Sequence, residues 1–168
     1  MKRRRRSLPL FQAFEPDTYV IDTSAWLNIT ARSDAEDVWR TVVDLIQQGR
    51  VVACATVIQE LRNDPIYAAH IKPYEKELRA GDRGTDDIEY LQLVGRITYE
   101  FPSMSKATSR KTPADPYVVA LGKIDRYVVV ADETCTRRPR RKIPGACKEL
   151  GVRCLTLSEF VKESKAKP

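Results

Sequence analysis

The feature that most constrains this chain is the run YVVVA at positions 127–131. Five apolar residues follow one another without a polar break, and four of them are β-branched or aromatic. A strand with no polar alternation is buried on both faces, which is the condition of a parallel sheet lying under helices. Three similar runs occur: Thr18-Tyr19-Val20-Ile21, Arg50 to Ala55, and Val152 to Leu155. Between them lie segments with helical spacing, such as Val38, Val42, Leu45 and Ile46. The predicted order is strand, helices, strand, helices, strand, helix, strand, helix. That order predicts an α/β domain with a parallel sheet covered on both faces.

Helix starts are read from capping patterns. Ser33 with Glu36 and Thr56 with Gln59 have capping-box spacing, and Thr85 is placed to cap a helix carrying Ile88, Leu91 and Val94. Gly49 and Gly151 are expected helix stops. A length of 168 residues suits one domain, expected over 17–163. Residues 1–16 read as a flexible basic arm and 164–168 as a flexible tail.

Several function classes are excluded at this level. No apolar run approaches the roughly 20 residues of a membrane helix. The start MKRRRRSLPLFQAF is interrupted by Pro9 and Gln12 and meets Glu15-Pro16-Asp17 too soon for a secretory signal, so a cytoplasmic protein is expected. The four cysteines, Cys54, Cys135, Cys147 and Cys154, have no CxxC spacing, and free thiols are expected. Neither a GxGxxG nor a GxxxxGK pattern occurs, which argues against nucleotide binding.

Charge is distributed unevenly. Lys2 to Arg6 and Arg137 to Lys142 carry ten of the 29 basic residues; without them 19 basic residues face 23 acidic ones. The net charge of +6 therefore resides in an arm and one loop on an acidic body, an arrangement suited to gripping a polyanion from loops.

The acids fall in a pattern. Asp22 ends the first strand, and Asp132 and Glu133 follow the third. Glu60 lies early in the helix leaving the second strand, and Asp115 starts the helix that returns to the third. With strands parallel, all of these positions fall at the carboxyl rim of the sheet, where α/β proteins bind ligands. Crowded carboxylates raise one another's pKa unless a positive charge compensates, and a hard divalent cation does so with oxygen ligands. The single histidine, His70, lies in an ordinary helical stretch and is read as structural.

Asp22-Thr23-Ser24, Glu60 in TVIQELRN and Asp115 in ADPYVVALG resemble the pattern of PIN-domain nucleases. The segments VVVADE and KIPGACKELGVRCLTLSEFV resemble a PIN-like branch related to prokaryotic VapC-type toxins. The resemblance spans about residues 18–162. It implies a three-layer α/β/α sandwich around a central, mainly parallel sheet of four to five strands. It further implies a metal-dependent endoribonuclease, the toxin of a type II toxin-antitoxin pair, often a homodimer and silenced by an antitoxin.

Carried over, Asp22, Glu60 and Asp115 would be acidic ligands of one or two Mg²⁺ or Mn²⁺ ions. Thr23 and Ser24 would hydrogen-bond the Asp22 carboxylate or a water beside the ion. The family often carries Thr-x-Asp after the late strand; here the chain reads Ala131-Asp132-Glu133, so the fourth acid lies between Asp132 and Glu133, with spacing favouring Glu133. Lys106, Arg110 and Lys111 from one loop, and Arg137, Arg138, Arg140, Arg141 and Lys142 from another, are the expected RNA contacts.

Two other readings compete. One is a catalytically weak or inactive PIN-like module that binds RNA or a partner, with the acids serving as caps. The other is a phosphoaspartate protein with Asp22 as nucleophile; the second acid such phosphatases place two residues on is Ser24 here.

Overall fold

Residues 17–104, 113–133 and 142–166 are described in a computed structural model of the chain. Its centre is a sheet of four short strands, all parallel: β1 (Tyr19–Ile21), β2 (Val51–Val52), β3 (Val128–Val130) and β4 (Cys154–Leu155). Their order is β2-β1-β3-β4. Val20 pairs with Val52 on one side and Val129 on the other, and Val130 pairs with Leu155. The strands of β1 and β3 are buried throughout, as unbroken apolar runs require. The chain leaves β1 towards β2 but leaves β3 towards β4, in opposite directions, so the carboxyl ends of β1 and β3 flank a topological switch point. There the Asp22 N–H donates to Val130 O at 2.9 Å, tying the two strand ends together.

Helices cover both faces, giving the expected three-layer α/β/α arrangement. On one side α1 (Thr23–Ile29), α2 (Ala35–Gln47) and α8 (Leu157–Ala166) pack on one another. On the other, α5 (Ile88–Glu100) packs on α6 (Asp115–Ile124), which packs on α7 (Ile143–Leu150) and on β1 and β3. A Cβ on Gly122 of α6 would lie 2.6 Å from Val129 Cγ2 and 3.1 Å from Val152 Cγ1, so the missing side chain is what lets α6 sit this close to the sheet. Following β2 come α3 (Ala55–Leu61), a π-helical turn over Tyr67–Ile71, a 3₁₀ turn over Lys72–Tyr74, and α4 (Glu75–Arg79), which closes the β2 edge.

The core is aromatic as well as aliphatic. Tyr19 meets Phe160 edge to face with ring centroids 4.9 Å apart. The Trp26 indole N–H donates to Ile21 O at 3.0 Å, and its ring stacks on Trp39, which stacks in turn on His70 at 4.2 Å. His70 thus packs as a flat ring over the core.

The helix starts differ from those expected. α2 follows Asp34, whose carboxylate is held by Arg32 at 2.7 Å instead of capping the helix. α3 starts at Ala55, and its first N–H is satisfied at 3.0 Å by Asp82 Oδ2 from a distant turn instead of by Thr56. α5 is capped by Asp87, which accepts from Tyr90 N–H at 3.0 Å, two residues beyond Thr85. At α3 and α5 a carboxylate supplies the acceptor, from a distant turn in the first and from the residue just before the helix in the second. α8 runs to Ala166, three residues into the expected tail, with Ser164 donating to Phe160 O at 2.7 Å. Among the described residues no helix is long and apolar enough to cross a membrane. Cys54, Cys147 and Cys154 are free thiols.

Candidate functional site: an acidic cluster at the switch point

Asp22 answers to two local demands. It is the N-cap of α1, accepting from Ser24 N–H at 3.0 Å and from Ser24 Oγ–H at 2.7 Å, both at Oδ2. It is also the one buried charged residue among those described, at 3 % exposure. Its second oxygen, Oδ1, is buried and meets no hydrogen-bond donor among the described residues. Burial pushes the Asp22 carboxyl up to about 6; Ser24 opposes that rise and the Glu133 charge adds to it.

Asp115 stands in the same field. It is the first residue of α6, with Pro116 behind it, and Ala114 holds the cap position. Its carboxyl is raised to about 8, first by burial and then by the charges of Asp22, Glu133 and Glu60. Four carboxylates that are distant in sequence are therefore electrostatically coupled, and Asp115 bears most of the strain.

Glu60 is fixed at both oxygens. Thr23 Oγ1–H donates to Oε2, and the Ala114 N–H, left free by the start of α6, donates to Oε1 at 3.0 Å. The two hydroxyls of the Asp22-Thr23-Ser24 stretch thus serve different acids, Ser24 holding Asp22 and Thr23 holding Glu60.

Asp132 and Glu133 diverge. Asp132 Oδ2 accepts from Asn28 Nδ2 at 3.0 Å at the surface, while its N–H donates to Ser24 Oγ at 3.2 Å. Glu133 turns towards α7, accepting from Ile143 N–H at 3.2 Å and from Lys142 Nζ at 3.4 Å. Glu133, and not Asp132, acts on the carboxyls of both Asp22 and Asp115. Asn28, one turn along α1, had no signal in the sequence as a site residue; the contact depends on β3 lying beside β1.

Among the described residues no group of three or more His, Cys, Asp or Glu side chains is set up to hold a metal ion by itself. The chemistry of the donors nonetheless fits a hard cation. An orphaned, buried carboxylate oxygen lies among like charges, and Mg²⁺ is commonly held by one or two carboxylates with water and substrate phosphate completing its shell. Asp22 and Asp115 are the two acids such an ion would relieve. Of the expected RNA contacts, Lys142 lies at this rim against Glu133. Lys106, Arg110, Lys111, Arg137, Arg138, Arg140 and Arg141 lie outside the described residues, as does Cys135.

Fold and site together define an α/β protein whose acidic groups meet at the switch point of a parallel sheet. The chain belongs to the family described as a domain of unknown function, DUF4411, whose model matches residues 19–168 and so takes in every strand and all the acids above. No curated protein matches it.

Proposed function

We propose that this protein is a divalent-metal-dependent endoribonuclease of the PIN-like kind, hydrolysing phosphodiester bonds of RNA as the toxin of a toxin–antitoxin pair. The observation that carries this reading is Asp22 Oδ1: a buried carboxylate oxygen without a donor, coupled to Glu133 and Asp115 at the site where α/β proteins bind ligands. The cap on α1 uses only Oδ2; leaving Oδ1 buried and unpaired is unfavourable, and a cation beside it would offset that penalty.

Asp22 and Asp115 would hold the ion. Bound Mg²⁺ or Mn²⁺, one ion or two, supplies positive charge against the phosphate and eases deprotonation of water. Ser24 orients Asp22 so that Oδ1 stays free, and Thr23 with the Ala114 N–H holds Glu60 in one rotamer. Glu133 holds the head of α7 beside the cluster, and Lys142, paired with it, places a cation at the rim for a phosphate. Part of the site is thereby positioned before any substrate arrives, which favours catalysis by orientation.

A second reading has its own support. Asp22 caps α1 and Glu133 binds the first N–H of α7, so two of the acids have structural work to do. A binding module without catalysis would keep them for that reason. Incubating the purified protein with single-stranded RNA and Mn²⁺ or Mg²⁺, beside folded Asp22→Asn and Asp115→Asn variants, separates the two. Cleavage by the wild type that both variants lose supports the nuclease. RNA binding that survives EDTA and Asp22→Asn, with no cleavage, supports the module.

A further inference from the structure

Two cysteines on neighbouring elements meet beside the acidic rim. Cys147 lies on α7 and Cys154 begins β4, and their thiols are in hydrogen-bonding contact. The turn that brings them together is pinned: the Val152 N–H donates to Cys147 O at 2.8 Å. Gly151 allows that turn with a left-handed backbone, φ 66°. The surroundings of the two sulfurs differ. Cys147 is fully buried, whereas Cys154 is half-buried and lines a cavity of about 400 Å³ at the carboxyl ends of β3 and β4. Contact with Cys147 holds the Cys154 thiol below its ordinary range, against burial and the charge of Glu159. The same contact, and then burial, push the Cys147 thiol up. A thiolate is the form of cysteine that attacks an oxidant, so the thiol that faces the cavity is also the more reactive one. Cys54 is the contrast: it is buried against Thr56, and burial pushes its thiol up to about 12.

We infer that Cys147 and Cys154 form an oxidation site: Cys154 reacts with a small hydroperoxide entering the cavity, and Cys147 closes a disulfide onto it. In the first step the Cys154 thiolate attacks one peroxide oxygen. The S–O bond forms as the O–O bond breaks, and the leaving oxygen takes up the proton that Cys154 had released. In the second step the Cys147 sulfur attacks the sulfenic sulfur of Cys154. The S–S bond forms, the S–O bond breaks, and the departing hydroxide leaves as water with the Cys147 proton. The two sulfurs together lose two electrons, which the peroxide gains. The product ties α7 to β4, and an external dithiol reverses it by exchange. This inference does not rest on the nuclease reading.

Peptide mapping of the full chain tests it. The native protein, in buffer with a chelator, is exposed to hydrogen peroxide; the remaining thiols are alkylated in denaturant and the chain is cut with trypsin. Lys148 and Arg153 lie between the two cysteines, so the expected product is residues 143–148 joined to residues 154–162. It should be lighter by two hydrogens than the two peptides together, and dithiothreitol should abolish it. Cys54 should be recovered alkylated. Cys147→Ser should stop the reaction at a sulfenic acid on Cys154, trapped by dimedone, while Cys154→Ser should leave Cys147 unoxidised at the same exposure. Cys147→Ala, which keeps the buried position apolar, repeats the trapping if circular dichroism shows that Cys147→Ser does not fold. A native chain that gives no joined peptide overturns the inference. So does a joined peptide that forms only in denaturant, a Cys154 that pairs with Cys135 instead, or dimedone labelling of Cys147 in Cys154→Ser as strong as that of Cys154 in Cys147→Ser.

Discussion

Thr23 donates its hydroxyl hydrogen to Glu60 Oε2 across 37 residues of sequence, joining the first turn of α1 to the last turn of α3. The same Glu60 accepts from the Ala114 N–H at the head of α6. One carboxylate thus registers three helices at the rim of the sheet. Thr23→Val keeps the shape and removes the donor. It is expected to lower stability by about 1 kcal/mol, the net value of a partly buried hydrogen bond, which thermal unfolding will read as a drop of roughly 2–4 °C. RNA cleavage should fall with it.

The raised carboxyls make stability depend on pH. Asp22 at about 6 and Asp115 at about 8 bind protons more tightly folded than unfolded, where both lie near 3.8. Their share of stability is complete below pH 4 and is lost as pH rises, through about 6 for Asp22 and about 8 for Asp115. In metal-free buffer, melting temperature should therefore decline between pH 5 and pH 8 by more in the wild type than in Asp115→Asn. Mn²⁺ should recover the loss in the wild type at pH 8 and do little at pH 5, where Asp22 and Asp115 are already largely protonated. Differential scanning fluorimetry across that range checks both statements.

Asp132 and Glu133 are adjacent but not equivalent. Asp132 is occupied by Asn28 at the surface, while Glu133 is coupled to Asp22 and Asp115. Glu133→Gln is expected to reduce cleavage on the order of 100-fold, and Asp132→Asn by less than about fivefold. Single-turnover rates on one RNA substrate decide it, with circular dichroism confirming that Glu133→Gln still folds after losing charge at the head of α7.

Gly122 tests the packing alone. A methyl group there would lie 2.6 Å from Val129 Cγ2 and 3.3 Å from Tyr127 O, against β3 and the chain that enters it. Gly122→Ala should destabilise by about 1–3 kcal/mol through overpacking, despite its better helix propensity. Urea unfolding should show a lower midpoint with an unchanged slope.

The unbroken apolar runs made the parallel sheet legible, and parallelism alone brought Asp22, Glu60, Asp115 and the Asp132-Glu133 pair to one rim. Less legible was anything that depends on which distant group arrives first. Thr56 and Thr85 had good capping spacing, yet Asp82, brought near from a distant turn, satisfies the head of α3, and Asp87, just before the helix, satisfies that of α5; in both a carboxylate is the stronger acceptor. The partners of Thr23 and Asp132 were hidden for the same reason: Glu60 and Asn28 are neighbours only once α3 and β3 have docked beside β1.

The central claim is that the orphaned oxygen of Asp22 belongs to a cation site. Titrating Mn²⁺ into the wild type and into folded Asp22→Asn, with binding read by calorimetry, tests it most directly. The account predicts saturable uptake by the wild type, weakened at least about tenfold in the variant, as expected for loss of a charged oxygen ligand. A wild type that takes up no Mn²⁺, or a variant that binds it as tightly, would contradict it.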